Sequence, residues 1–243
     1  MNPRLTVIIP VRNEAGNILP LVQEIEAALT SVTPFEILYV NDGSNDGTAA
    51  EIQAAQAGRP NLRLFTLDAG AGKSEALRAG ARVARGELLV LIDGDGQNDP
   101  ADIPRLLAAH DGMATPGLAM AQRVGRKDTA FKRWQSRQAN AIRGRLLRDD
   151  TRDAGCGFAL LPRVIFLRLP LFDGMHRFLP ALVKREREGV VFVDVTDRQR
   201  RAGQSKYGFF DRLWVGIADM LGVFWLIRRR PRPASGQEVT PPG

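Results

Sequence analysis

The chain holds one cysteine, Cys156, so no internal disulfide can form. That excludes the disulfide-stapled scaffolds of small secreted proteins and fits a reducing, cytosolic setting. Histidine is scarce too, with two in the chain. His176 has no second ligand near it in sequence, so it is not read as a metal ligand. Long apolar runs are missing: no window reaches the roughly 20 uncharged apolar residues of a clean transmembrane helix. The start, Met1-Asn2-Pro3-Arg4, leads straight into a strand and is read as carrying no apolar signal-peptide segment. What is left is an ordinary globular composition, 44% hydrophobic and 25% charged over 243 residues. That length holds one large α/β domain or two small ones around a real core.

Charge of one sign is in excess, +7 net. Residues 122–152 carry ten Arg or Lys against three Asp, which equals the surplus of the whole chain. Such a patch suits an anionic partner: nucleic acid, a membrane surface or a phosphate. A solvated basic helix fits the charge equally well.

Leu5–Val11, Phe35–Val40, Leu62–Leu67 and Glu87–Ile92 read as buried strands. Between them, Asn17–Leu29, a stretch from about Ala49, and Ser74–Ala84 have helical spacing. Strand alternating with helix gives a parallel sheet with right-handed crossovers, a nucleotide-binding-like α/β layer over the first hundred residues. The strands' carboxyl ends then face one crevice, where open α/β sheets bind ligands. Arg12, Glu14, Asp42, Asp46, Lys73, Asp93 and Asp95 converge there. Alone, Asp42 fits a turn as well as a ribose or base contact, and Glu14 fits a helix-dipole role.

The central stretch is Leu88-Leu89-Val90-Leu91-Ile92-Asp93-Gly94-Asp95-Gly96-Gln97. Two residues apart in an extended chain, Asp93 and Asp95 point the same way. Paired carboxylates repel unless a cation sits between them, and hard divalent cations prefer oxygen ligands. Asp93, Asp95 and the Gln97 amide oxygen therefore read as a Mg²⁺ or Mn²⁺ site, with an Asp-Gly surface turn as the bland alternative. Ala69-Gly70-Ala71-Gly72-Lys73-Ser74 ends in the Gly-Lys-Ser of a phosphate loop. That motif needs glycine at position 67, where Leu67 stands, so it is not read as an ATPase loop. Lys73 stays a candidate for a phosphate or a base.

Beyond Pro100 the pattern loosens. Met120–Arg123 reads as a short strand, and about Thr129–Arg148 as a basic helix with Arg133 and Arg137 on one face. Asp153-Ala154-Gly155-Cys156-Gly157 is a glycine-punctuated turn into a strand, with close backbone approach at Gly155 and Gly157 and Asp153 a candidate crevice group. Phe178–Glu188 reads as a helix and Val190–Val195 as a last strand. Phe209–Ile227 is apolar around most of its circumference, with Trp214 and Trp225 toward its ends and Arg228-Arg229-Arg230 following. Too short to span comfortably, it reads as a helix in the membrane interface, a core-packed helix being the alternative. Pro231–Gly243, with four prolines, reads as a disordered tail.

In order, Val7-Ile8-Ile9-Pro10-Val11-Arg12-Asn13-Glu14, Val40-Asn41-Asp42-Gly43-Ser44-Asn45-Asp46-Gly47-Thr48, Gly72-Lys73-Ser74 and Asp93-Gly94-Asp95-Gly96-Gln97 resemble family 2 glycosyltransferases of the GT-A fold. Arg200-Arg201-Ala202-Gly203-Gln204-Ser205-Lys206-Tyr207-Gly208 is similar to the branch of dolichyl-phosphate mannose synthase and bacterial polyprenyl-phosphate glycosyltransferases. The resemblance covers about residues 4–230. It implies a Rossmann-like, mostly parallel sheet flanked by helices. Together with the residue pattern this reads as a catalytic domain over 1–208, an amphipathic membrane-interface helix with a basic anchor over 209–230, and the tail over 231–243. The implied reaction moves a sugar from a UDP- or GDP-sugar to a polyprenyl phosphate, inverting the anomeric centre, with Mg²⁺ or Mn²⁺, at the cytoplasmic face of a membrane.

By the same similarity Pro10, Arg12, Glu14 and Asp42 hold the nucleoside, with Lys73 and Asp93 beside the nucleotide. Asp93, Asp95 and Gln97 hold the metal. Arg123, Arg133, Arg200, Lys206 and Ser205 match positions around the donor and acceptor phosphates, with Arg137 beside Arg133. No nucleic-acid partner is implied. Chemistry agrees: a phosphate monoester is already ionised and attacks without a strong protein base, so the site must chiefly hold two anions together. The chain departs from the family in two places. Some relatives carry two or more transmembrane helices after the Ser-Lys motif, and Arg12 stands where an aromatic residue is frequent. A saccharide or glycerolipid acceptor is the second reading, with Asp153 as its base. A nucleic-acid-binding protein using the arginine-rich helix ranks last.

Overall fold

The computed structural model describes residues 3–32, 34–124, 143–153, 155–196, 198 and 209–229. Four apolar runs become β1 (Leu5–Val11), β2 (Phe35–Asn41), β3 (Leu62–Thr66) and β4 (Leu88–Leu91). The crossovers between them are α1 (Ile18–Ala28), α2 (Thr48–Ala55) and α3 (Lys73–Val83). β1 pairs in parallel with β2 and with β4, and β2 with β3. After α4 (Ile103–Asp111) come β5 (Gly117–Val124), β6 (Ala159–Pro162), α5 (Arg163–Arg168), α6 (Leu179–Arg185) and β7 (Gly189–Thr196). The seven-stranded sheet runs β3-β2-β1-β4-β6-β5-β7, with β6 antiparallel to both β4 and β5. The mostly parallel α/β sheet expected from the sequence is therefore present.

Both faces of the sheet are covered, which is why its strands are continuous apolar runs rather than alternating ones. Val7 and Ile9 of β1 pack with α1, α2 and α4 on one side. Ile8 packs with α3, α5 and α6 on the other. The chain moves outward from β1 through β2 to β3, then places β4 on the opposite flank of β1. The direction of winding reverses between β1 and β4, the place where such sheets open a crevice. Pro10 sits beyond Ile8, the last β1 residue paired with β4, where strands are parting and a missing amide is tolerated.

Neither α4 nor α5 is anticipated by the sequence reading. α4 follows a turn in which the Asp99 carboxylate accepts from the Ala101 amide at 2.9 Å, so turn-forming residues stand directly before a helix. α5 has six residues, too few for a helical period to show.

The last helix, α7 (Phe209–Arg228), leans on α6: Val223 is buried, and Arg185 donates to the carbonyls of Leu226 and Arg229. Its other side presents Leu221 and Trp225, 54% and 60% exposed. The side toward α6 is packed on the body of the protein, and the opposite side is exposed. Among the described residues, no helix is long and apolar enough to cross a membrane.

Asp219 anchors α7 against the segment before α6. Its Oδ2 lies 4.0 Å from Arg177 Nη1 and makes no hydrogen bond. Burial raises its carboxyl above the usual range; Arg177 opposes this and Asp173 adds to it. An acid with a raised folded pKa loses stability as pH climbs from its unfolded value through the folded one. Asp219→Asn is therefore expected to stabilise the fold at pH 7 and raise its melting temperature there. It should have no effect below pH ~3.8, where the carboxyl is protonated in both states. Thermal melts at the two pH values check this, and equal destabilisation at both would refute it.

Candidate active site

The crevice is built from loops at the carboxyl ends of β1, β2 and β4. Asn13, at φ +60°, turns the chain after β1 so that its amide donates to Ser44 Oγ at 3.0 Å. The Glu14 amide donates to Thr48 Oγ1 at 2.9 Å, which seals this loop to the one after β2. Glu14 Oε2 accepts from Asn17 Nδ2 at 2.8 Å. The Arg12 guanidinium lies over Gly70, its Nη1 2.7 Å from where a Cβ would stand.

Asp42 is buried and its carboxylate accepts from the amides of Ala71 at 2.6 Å and Gly72 at 3.0 Å. Those amides are what a phosphate loop would offer its ligand. With Asp42 on them, Ala69–Ser74 is a braced turn into α3, which agrees with the rejection of an ATPase loop.

α3 begins with Lys73, whose ammonium forms an ion pair with Asp93 Oδ1. Burial alone would push the Asp93 carboxyl up. Lys73 overrides it, with Arg123 adding a smaller pull, and holds the group below the usual carboxylate range. His176 joins them from the segment before α6, its Nδ1 2.9 Å from Ser74 Oγ. Burial first, and then the Lys73 ammonium, depress the imidazole to about 3, with Asp93 opposing. The ring is neutral, and its Nδ1 shares one hydrogen bond with the Ser74 hydroxyl.

The far wall is the turn before β6. A Cβ at Gly157 would stand 2.6 Å from Lys73 Nζ and 3.1 Å from Asp93 Oδ2, so the ion pair occupies the space of a side chain. Asp153 accepts from Arg123 Nε at 2.6 Å and Nη2 at 3.1 Å, a forked pair buried on both sides. The Gly155 amide adds a third bond at 3.1 Å. Cys156 beneath is buried, and that burial raises its thiol to about 11. It is a core residue with no reactive thiolate.

One premise of the sequence reading is corrected. β4 stops at Leu91, and Asp93–Gly96 is a turn with Gly96 at φ +75°. The two-residue alternation of an extended strand does not apply there. Asp95 is buried and its Oδ1 accepts from the Gln97 amide at 3.1 Å, an Asx turn. Among the described residues no three His, Cys, Asp or Glu side chains cluster as a cation site. Mg²⁺ or Mn²⁺ does not require such a cluster, because these ions commonly take one or two protein carboxylates and fill the remaining positions with substrate phosphate and water.

A family model described as glycosyl transferase family 2 matches residues 6–169. The chain belongs to glycosyl transferase family 2. It is 34% identical to a dodecaprenyl-phosphate galacturonate synthase of Rhizobium johnstonii, over 94% of this chain and 69% of that protein. It is 30% identical to an undecaprenyl-phosphate 4-deoxy-4-formamido-L-arabinose transferase of Shewanella sediminis, over 85% of this chain and 62% of that one. The glycosyltransferase thus spans about two thirds of the length of the curated relatives it matches. Its fold is that of glucosyl-3-phosphoglycerate synthase from Mycobacterium tuberculosis, solved with Mn²⁺, UDP and phosphoglyceric acid. That structure matches at TM-score 0.70 and 17% identity, over 95% of this chain and 80% of that one.

Within this glycosyltransferase the structure brings Lys73, Asp93, Arg123 and Asp153 to one end of the sheet, with Asp95 in the turn after β4. Arg12, Glu14 and Asp42 line the neighbouring loops. Arg133, Arg137, Arg200, Ser205 and Lys206 lie outside the described residues. Ser74 was read only as part of the Gly-Lys-Ser motif and His176 was set aside as a metal ligand; their pairing was missed, since they stand 102 residues apart and nothing local to either marks it. Gly157 was legible as a close approach, and the approaching group is the ion pair.

Gly157→Ala is expected to fold, because the flexible Lys73 end can move aside, and to lose at least tenfold in turnover as the Lys73–Asp93 pair is displaced. Circular dichroism with steady-state kinetics checks both halves; unchanged turnover would show that the pair's placement is immaterial.

Proposed function

We propose that this glycosyltransferase moves a sugar from a nucleoside diphosphate sugar to the phosphate of a polyprenyl lipid. A lipid phosphate oxygen forms a bond to the anomeric carbon, and the bond from that carbon to the donor's β-phosphate oxygen breaks with its electron pair leaving on the nucleoside diphosphate. Attack opposite the leaving group inverts the centre. The likeness to relatives named for dodecaprenyl and undecaprenyl phosphates supports this acceptor. The observation that carries the reading is the strand-end cluster of Lys73, Asp93 and Arg123, cations and a carboxylate together at the crevice of the sheet.

Charge builds on the leaving diphosphate, and fixed cations lower that barrier. Lys73 stands at the β4 end to meet it. Asp93 and Asp95 would hold Mg²⁺ or Mn²⁺, with Gln97 beside them; when bound, the ion supplies Lewis-acid stabilisation of the diphosphate. Pro10, Arg12, Glu14 and Asp42 frame the nucleoside end, and Arg123, Arg133, Arg137, Arg200, Ser205 and Lys206 serve the acceptor phosphate. The saccharide-acceptor reading needs Asp153 as a base. Its carboxylate already accepts from the Arg123 fork and the Gly155 amide, a poor arrangement for taking up a proton. That favours the phosphate acceptor.

The exposed side of α7 fits a membrane surface. Leu221 and Trp225 are apolar, and the Arg228 and Arg229 guanidiniums stack over Phe224 and Trp225 with their charge toward the lipid headgroups. The enzyme would work at the cytoplasmic face, where nucleotide sugars are made.

A transfer assay with undecaprenyl phosphate, MnCl₂ and pooled UDP- and GDP-sugars, read by mass spectrometry, is expected to give a glycosyl-phospholipid. Asp95→Asn should lower turnover at least 100-fold without loss of folding. Metal-dependent release of nucleoside diphosphate without a lipid product would move the acceptor elsewhere. In flotation with anionic vesicles, Trp225→Glu should weaken binding about tenfold or more, and equal flotation would remove α7 as the docking element.

A further inference from the structure

His176 contributes no group to the scheme above, yet it is built into the site with care. Ser74 is buried, so its hydroxyl requires a partner. It stands in the first turn of α3, and its hydroxyl bonds to His176, 102 residues along the chain. The His176 segment is itself rigid. Gly174, at φ +82°, turns Met175 into the core, and a Cβ there would stand 3.0 Å from Asp219 Oδ2. The Arg177 carbonyl accepts from Arg143 Nη2 at 2.8 Å, and Arg143 pairs with the buried Asp149. One end of the Ser74–His176 bond is therefore fixed to the body of the protein, and the other to the residue that follows Lys73.

We infer that His176 is a positioning residue: by holding Ser74 it fixes the first turn of α3, and so aims the Lys73 ammonium at the donor's diphosphate. The inference rests on the donor reading above. A lysine's four-carbon stem is flexible, and its charge is only as well placed as its backbone. The first turn of a helix frays unless its ends are held. Asp42 braces the loop before Lys73 through the amides of Ala71 and Gly72, and His176 braces the residue after it. With both braces the ammonium has a short arc to travel. Without the second, donor binding weakens while the acceptor phosphate, met by other residues, is unaffected.

The test is titration calorimetry of UDP and GDP with MnCl₂ on the full chain, comparing wild type with Ser74→Ala, His176→Ala, the double variant and His176→Asn. Each single variant should lose about five- to tenfold in nucleotide affinity, the worth of one hydrogen bond. The double variant should lose no more than either single, since both remove the same bond. His176→Asn, which keeps a hydrogen-bonding atom where Nδ1 stood, should recover most of the loss. In turnover the donor KM should rise and the lipid KM should hold. Wild-type affinity in either single variant, losses that multiply in the double, or a changed lipid KM alone would overturn the inference. A wild type that binds nucleotide but transfers nothing to undecaprenyl phosphate would overturn the acceptor reading and leave His176 standing. Binding of neither nucleotide would overturn both.

Discussion

The Lys73–Asp93 ion pair is the contact on which the crevice depends. A carboxylate at the end of a buried strand is costly unless a cation neutralises it. Lys73 supplies that cation from the start of α3, and the surrounding chain is arranged to let it. Asp42 consumes the loop amides that would otherwise be unpaired, Gly157 leaves out a side chain where the pair sits, and His176 holds the residue next in line. A site of the kind proposed, for a diphosphate with a metal, must be cationic on balance and still carry carboxylates. Pairing one of the two carboxylates with a lysine meets both demands in the absence of ligand.

Topology explains how residues so far apart in sequence meet there. β6 runs antiparallel to β4, and Ala159 faces Leu91 across the ladder. The chain entering β6 therefore arrives at the carboxyl end of β4, which brings 153–157 over Asp93. β5 is antiparallel to β6, with Met120 opposite Ala159, so β5 continues past that level and carries Arg123 to Asp153. Two reversals in an otherwise parallel sheet close the crevice with a wall that a purely parallel layer would lack. The loops carrying Arg12, Glu14 and Asp42 come from the parallel half, and the forked Arg123–Asp153 pair from the mixed half.

The parallel half was legible because its strands are buried on both faces and read as unbroken apolar runs between turn formers. The mixed half was legible only in part. β6 has four residues and α5 six, too short for a period to establish itself. Asp93 and Asp95 were recognised from their place after β4, but their relative direction was inferred from a strand that ends earlier, at Leu91. Lys73 and Asp93 were each visible as crevice candidates; that they pair was not, because pairing depends on the register of α3 against the sheet. His176 was set aside as a metal ligand for want of a neighbour. Its partner is a serine far away, and only the fold brings the two together.

Part of the basic surplus has partners within the fold. Residues 122–152 carry the whole net charge of the chain. Yet Arg123 is forked onto Asp153, Arg143 onto the buried Asp149, and Arg152 onto Asp194. Each of these cations is matched by a carboxylate of the fold, and the Arg143 pair lies beneath the surface rather than on it. Long-range attraction for a polyanion depends on charge that is unmatched at the surface, and opposite charges within a Debye length of one another largely cancel. A nucleic acid, which needs a row of exposed cations at the spacing of its phosphates, gains little from arginines committed in this way. A single phosphate ester is different. It can bring its charge into the crevice, where Asp153 already fixes the direction of the Arg123 guanidinium. On the acceptor proposed above, the forked Arg123 meets one anion held in one place.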